Sequence, residues 1–136
     1  MTDNYNPAQN KVWSSALNVS KKIYNLSNYY TEEDLQPLTE AFKKAQSLQQ
    51  QLEEEIREEE YKQTFSGYQK SLNLIRSMEK DLIFAFDQGC ITERELKITL
   101  EAISIYIREI KSHQDTGEAD HKLLHHLQTF PQTNAK

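Results

Sequence analysis

One cysteine, three glycines and three prolines among 136 residues leave this chain few devices for stapling or punctuating a fold. A single thiol, Cys90, excludes an intrachain disulfide. The scarcity of Gly and Pro argues against an all-β domain, which needs a turn every ~8–12 residues, and against a glycine-rich phosphate-binding fold. Long apolar runs are missing. The longest, Leu82-Ile83-Phe84-Ala85-Phe86, falls far short of the ~18 residues of a membrane span. The first ten residues carry Asp3 and lack the basic and apolar regions of a signal peptide. Positive charge is also in deficit. With 16 Lys and Arg against 21 Asp and Glu, the net charge is −5, so the molecule as a whole does not attract nucleic acid or anionic membrane. The expectation from these absences is one cytoplasmic, all-α domain with no membrane association.

What is present is helical periodicity. Residues 1–10 read as a disordered tail broken by Pro7. A first helix, from about Lys11 to Ser27, carries Val12/Trp13, Ala16/Leu17, Ser20 and Ile23/Tyr24. Asn28-Tyr29-Tyr30 interrupts it. Thr31 to Asp34 reads as one turn, and Asp34 as the N-cap of a helix from Leu35, because Pro37 then falls where the N–H is free in any case. The second helix carries Leu35, Leu38, Phe42, Ala45, Leu48, Leu52 and Ile56. The third carries Tyr61, Phe65, Tyr68, Leu72, Ile75, Met78, Leu82 and Phe86. No Gly, Pro, Asn or Asp lies between Leu38 and Gly67. Two outcomes therefore stay open: a reversal near 57–62, or one helix over 35–88 about 80 Å long.

The next boundary is well marked. Gly89 suits a left-handed position after a helix end. Thr92-Glu93-Arg94-Glu95 forms a capping box, with Ile91 and Leu96 placed as its hydrophobic staple. The fourth helix carries Leu96, Leu100, Ile103, Ile107 and Ile110, and a second apolar row made of Ile98, Ala102 and Ile105, with Tyr106 between the rows. A surface helix shows one stripe, so Ile98, Ala102, Ile105 and Tyr106 are expected at an oligomer interface. Ser112 to Gly117 reads as a polar break. Leu123, Leu124, Leu127 and Phe130 give a short amphipathic helix over about 118–130. The expected architecture is an up-and-down antiparallel four-helix bundle over 11–113, followed by a short extra C-terminal helix and tail over 114–136.

This order of elements resembles the four-helix-bundle proteins encoded in intervening sequences of bacterial large-subunit ribosomal RNA genes, a family that includes accessory variability determinant proteins of diversity-generating retroelements. The family's opening helix, V-W-x-x-A-L-x-[VL]-x-x-x-I-Y-x-L, is matched by Val12-Trp13, Ala16-Leu17, Val19, Ile23-Tyr24 and Leu26. Its L-T-x-x-x-[RK]-[RK]-A pattern is matched by Leu38-Thr39 and Lys43-Lys44-Ala45. The end of its third helix is matched by Glu79, Leu82, Ala85, Asp87, Gly89 and Ile91. The resemblance covers about residues 11–111. Between helices two and three the family has a Ser-Ile-Pro-Ser-Asn-Ile-Ala-Glu-Gly-like segment, where this chain has Ser47-Leu48-Gln49-Gln50-Gln51-Leu52-Glu53-Glu54. The Arg-Gly-Ser of the family's third helix is also missing here. The resemblance implies a bacterial protein, a ring-like homo-oligomer, with a pentamer expected, and a basic surface for nucleic acid.

Candidate chemistry is sparse. His121 and His125 are spaced to share a metal, with Glu118 and Asp120 nearby. Without a His-Glu-x-x-His frame they read as a solvated helix face, and no metal or cofactor is expected. Cys90 follows a helix C-terminus, where the dipole disfavours a thiolate, and reads as a buried structural thiol. Ser and His residues form no nucleophile motif, so no enzymatic activity is expected. Trp13 reads as core.

Two charged groups remain. Glu53, Glu54, Glu55, Glu58, Glu59 and Glu60 form either a solvated helix end or a surface for a basic partner. Lys21, Lys22, Lys43 and Lys44, with Lys11 and with Tyr24, Tyr29 and Tyr30 nearby, are the candidates for nucleic-acid contact, aromatic rings being able to stack on bases. The expected function is a non-catalytic bundle that self-associates and serves as scaffold or adaptor for a macromolecular partner. A nucleic-acid-binding accessory subunit and an acidic inhibitor of a basic site on another protein are the alternatives.

Overall fold

A computed structural model of the chain describes residues 7–26, 33 and 36–134, with side chains placed over 8–26, 33 and 36–115. Four α-helices account for nearly all of the described residues: α1 (Pro7–Leu26), α2 (Thr39–Lys62), α3 (Gln69–Asp87) and α4 (Glu93–Asn134). A single 3-10 turn, Gln36–Leu38, leads into α2. Each helix packs on the two beside it in a closed square, α1 on α2 and α4, α3 on α2 and α4, with α1 on α4 the most extensive seam. The fold is an up-and-down antiparallel four-helix bundle.

Each helix holds its core face by alternating steps of three and four residues, the spacing of coiled-coil-like bundle packing. Buried positions are Gln9, Val12, Ala16, Val19, Ile23 and Leu26 on α1, and Leu38, Ala41, Ala45, Leu48, Leu52 and Glu55 entering and along α2. On α3 they run from Tyr68 through Ser71, Ile75, Met78 and Leu82 to Ala85. On α4 they are Thr99, Ile103, Tyr106, Ile110 and His113, with Ala102 beside them. Trp13, Phe42, Ile56, Leu72, Phe86, Leu96, Leu100 and Ile107 are half-buried flanks against this core.

The helix boundaries differ from the sequence expectation in four places. α1 begins at Pro7 rather than Lys11. Proline at a first helical position has its fixed φ already set and no N–H to leave unpaired. α2 begins at Thr39, after the 3-10 turn, whose Gln36 N–H bonds the Glu33 carbonyl at 3.3 Å. The reversal between α2 and α3 lies at 63–68, so the single long helix does not form. Gln63 takes the left-handed conformation (φ 57°) and bonds Glu59 O at 2.7 Å, and Gly67 and Tyr68 are left-handed as well (φ 87° and 47°). Finally, α4 runs unbroken through 112–117 to Asn134, so the expected fifth helix is its continuation. Polar residues end a stripe without ending a helix, and the one glycine there, Gly117, costs only about 1 kcal/mol.

The α3–α4 connection follows expectation. Gly89 is left-handed (φ 75°), its N–H bonds Phe86 O at 2.9 Å, and Cys90 N–H bonds Ala85 O at 2.8 Å. These are the two bonds of a Schellman ending. Thr92 N–H then bonds Glu95 Oε1 (2.8 Å) and Glu95 N–H bonds Thr92 Oγ1 (3.1 Å), which is the reciprocal capping box. The expected break at Asn28-Tyr29-Tyr30 and the caps at Thr31 and Asp34 lie outside the described residues.

Candidate functional site

At the end of the bundle opposite the α3–α4 turn, the core changes character. Among the described side chains, the inward positions at this end are polar on all four helices: Gln9 on α1, Glu55 and Glu59 on α2, Ser71 on α3 and His113 on α4. Helical register brings them together, because each continues its helix's three-four alternation one step beyond the apolar residues, and Glu59 one step further.

Glu55 is 8% exposed and turned toward the start of α3. Its carboxylate accepts bonds from Lys70 N–H (3.0 Å), Ser71 N–H (2.9 Å) and the Ser71 hydroxyl. Tyr68, the residue at the N-cap of α3, supplies no side-chain cap. Glu55 takes that role from another helix, pairing orphan donors and placing negative charge at the positive end of the α3 dipole.

Glu59 is the hub of the second group. Its carboxylate accepts from Gln9 Nε2 (2.9 Å) and from the Tyr68 hydroxyl, and lies 2.8 Å from His113 Nε2. Burial pushes the Glu59 carboxyl up, but the bonds with His113, Tyr68 and Gln9 outweigh this and hold it below its ordinary value. Burial, with Glu59 beside it, drives the Tyr68 hydroxyl upward, so it stays a neutral donor. Phe65 packs edge-on against both Tyr68 (centroids 4.7 Å apart) and His113 (4.5 Å). Tyr106 lies fully buried near Glu55 and Ser71, and burial raises its hydroxyl too. Sequence reasoning misses this cluster: it places Glu59 in an acidic run that reads as a solvated helix end or a partner surface, and His113 in a polar break.

Chemically, the cluster offers a His–carboxylate pair, but one closed by protein. His113 is 7% exposed, and Glu59 accepts protein donors from three elements. The shallow hollow between α2 and α3 is lined by Gln51, Glu54, Glu58, Ser66 and Lys70, with Glu55 in its wall, and includes neither Glu59 nor His113.

The acidic run is therefore divided. Glu55 is buried and Glu59 half-buried, whereas Glu53, Glu54, Glu58 and Glu60 remain in solvent. Arg57 pairs with Glu53 and Lys62 with Glu58 along the helix surface.

The four basic candidates divide between two helices, Lys21 and Lys22 on α1 and Lys43 and Lys44 on α2. Lys43 pairs with Glu40 (3.6 Å), and Lys44 is turned to α3 by Asp81 (2.6 Å). On α1, Ser20 marks the side that meets α2, bonding Gln49 Oε1 at 3.1 Å. Lys22 lies about 200° around the helix from Ser20 and Lys21 about 100°.

The expected interface row on α4 is divided as well. Ala102 and Tyr106 belong to the protomer's own core, at 3% and 0% exposure, Ile105 is half-buried, and Ile98 is 42% exposed. Among the described residues, the other exposed large apolar side chains are Leu17 and Tyr24 on α1, Tyr61 on α2, and Ile83 and Phe84 on α3. Cys90 is half-buried against the core. Among the described residues no group of His, Cys, Asp and Glu could hold a metal ion, and no helix is long and apolar enough to cross a membrane. The side chains of His121 and His125 lie outside the described residues. Compared with protein-family models, curated proteins and solved structures, the chain matches none.

Proposed function

We propose that this chain is a non-catalytic helical-bundle protein that self-associates and acts as a scaffold or adaptor, with the distal half of α4 as its contact element. The observation that carries the reading is the length of that helix. Glu59 bonds both Gln9 and His113, so these two residues share a level in the bundle. α1 starts at Pro7, close to that level, whereas α4 continues to Asn134, about 32 Å beyond His113. The residues there carry Leu123, Leu124, Leu127 and Phe130 at helical spacing. Helices of this length draw most of their stability from packing an amphipathic face, and a second copy or a partner supplies that packing. The resemblance to a ring-forming family adds to this reading.

Light scattering on the full chain tests it. The expected result is a single mass several times 16.0 kDa, free of nucleic-acid absorbance at low and high salt. A double substitution, Leu124→Glu with Leu127→Glu, is expected to return the mass to that of the protomer with the bundle still folded. A wild-type monomer at micromolar concentration overturns the reading.

One observation favours a second reading. Glu53, Glu54, Glu58 and Glu60 stay exposed on one helix end, which suits a basic protein partner. Glu54→Lys with Glu58→Lys then weakens a heterotypic complex while leaving self-association in place.

A further inference from the structure

We propose that the Glu59 carboxylate is an acid-sensitive clasp holding one end of the bundle closed, so that the molecule opens from this end first. Three segments distant in sequence converge on it: Gln9 in the first turn of α1, Tyr68 at the close of the α2–α3 turn, and His113 on α4. Only the 63–68 turn joins elements covalently here. The opposite end of the α3–α4 pair is closed differently, by the backbone bonds of the Schellman ending and by the capping box at Thr92 and Glu95.

The groups facing Glu59 are few. α1 presents the neutral Gln9 amide. α2 presents Glu55 one turn earlier, its carboxylate committed to Lys70 and Ser71 of α3. The turn presents the Tyr68 hydroxyl and the Phe65 ring, and α4 presents His113, with Tyr106 close enough to act on the Tyr68 hydroxyl. Among the described residues no Lys or Arg bonds this carboxylate, and its donors are an amide, a phenol and an imidazole.

A carboxylate can accept from all three at once. A carboxylic acid is a weaker acceptor and carries a donor of its own. When Glu59 takes a proton, three donors lose their ionic acceptor together, and any charge on His113 loses its counter-charge. The sign follows from the depressed carboxyl of Glu59: its contribution is complete above the ordinary carboxylate value and is lost as pH falls through the lowered one. Tyr68 also holds a left-handed backbone (φ 47°) that a non-glycine residue adopts at a cost. Losing its hydroxyl bond removes a contact that helps hold it there.

Amide hydrogen exchange on the full chain, followed from pH 7 to pH 3 after correction for intrinsic rates, tests the clasp. In the wild type, acid is expected to lower protection several-fold by pH 3 over 8–12, 64–72 and 109–115, leaving 82–100 unchanged. Glu59→Gln is expected to show the same local loss already at pH 7. Tyr68→Phe keeps the ring and removes one of the donors that hold the Glu59 carboxyl down, so the acid loss is completed at a higher pH, which a purely structural defect would not produce. Uniform loss, loss beginning near 88–92, or a loss completed at the same pH in Tyr68→Phe as in the wild type overturns the proposal. The wild-type and Tyr68→Phe profiles decide it even where Glu59→Gln fails to fold.

Discussion

Glu55 and Glu59 differ from their acidic neighbours only in register. The alternation through Leu38, Ala41, Ala45, Leu48 and Leu52 lands on 55 and then on 59, so these two carboxylates enter the core while Glu54 and Glu58 stay outside. The apolar Ile56, which composition favours for the stripe, becomes a half-buried flank. The same step from Ile110 lands on His113. Register alone thus contained the cluster, but its polar residue types pointed away from a core position. Only the partners on other helices make the burial of these carboxylates tolerable, since buried polar groups are nearly always hydrogen-bonded. Glu55→Ala is expected to destabilise the protein by about 1–3 kcal/mol, because the Lys70 and Ser71 amides lose their acceptor. Glu54→Ala is expected to change stability by less than ~0.5 kcal/mol. Urea midpoints at pH 7 compare the two directly.

At the scale of elements, the two turns on either side of α3 differ in how much local chemistry they carry. The α3–α4 turn is written in a glycine, a capping box and a flanking apolar pair, all within eight residues, and each bond it implies is formed. The α2–α3 turn has only Gly67 as a marker. Its other left-handed residues, Gln63 and Tyr68, are types that seldom adopt that conformation, and tertiary contacts hold Tyr68 there. Its position was therefore not legible locally. Gly89→Ala is expected to cost about 1 kcal/mol from backbone conformation alone, since an added Cβ there meets nothing within 4 Å. Gly67→Ala is expected to cost a similar amount, because the one atom its Cβ would crowd, Gln69 Nε2 at 3.1 Å, ends an exposed side chain that can swing away. Thermal unfolding of both variants, with Gly→Asn at each position as a milder control, checks the comparison.

At the scale of the molecule, the apolar content of α4 exceeds one stripe because the helix packs between two neighbours. Leu96, Leu100 and Ile107 flank the core, while Ala102 and Tyr106 fill it. A double stripe is thus explained within the protomer for all but its outer edge. Ile98→Glu is expected to leave both the unfolding midpoint and the solution mass near wild type, while Tyr106→Glu is expected to abolish cooperative unfolding, since it buries a charge in the core. Circular dichroism melts and light scattering on the two variants separate core from surface along this row. An Ile98→Glu protein that falls to protomer mass would place the contact on the bundle wall rather than on the distal half of α4.

The sequence by itself determined the helical class, the approximate number of helices, the α3–α4 turn and most of the apolar core, because these depend on local capping and on short-range periodicity. Only the tertiary structure decided which glutamates of an unbroken acidic run turn inward, where α2 ends, and that α4 continues past the bundle. The third outcome arises because the polar stretch 112–117 ends an apolar stripe without ending the helix, and the first two depend on donors and packing surfaces supplied by residues tens of positions away. For Glu59 these are Gln9, fifty positions before it, and His113, fifty-four after it.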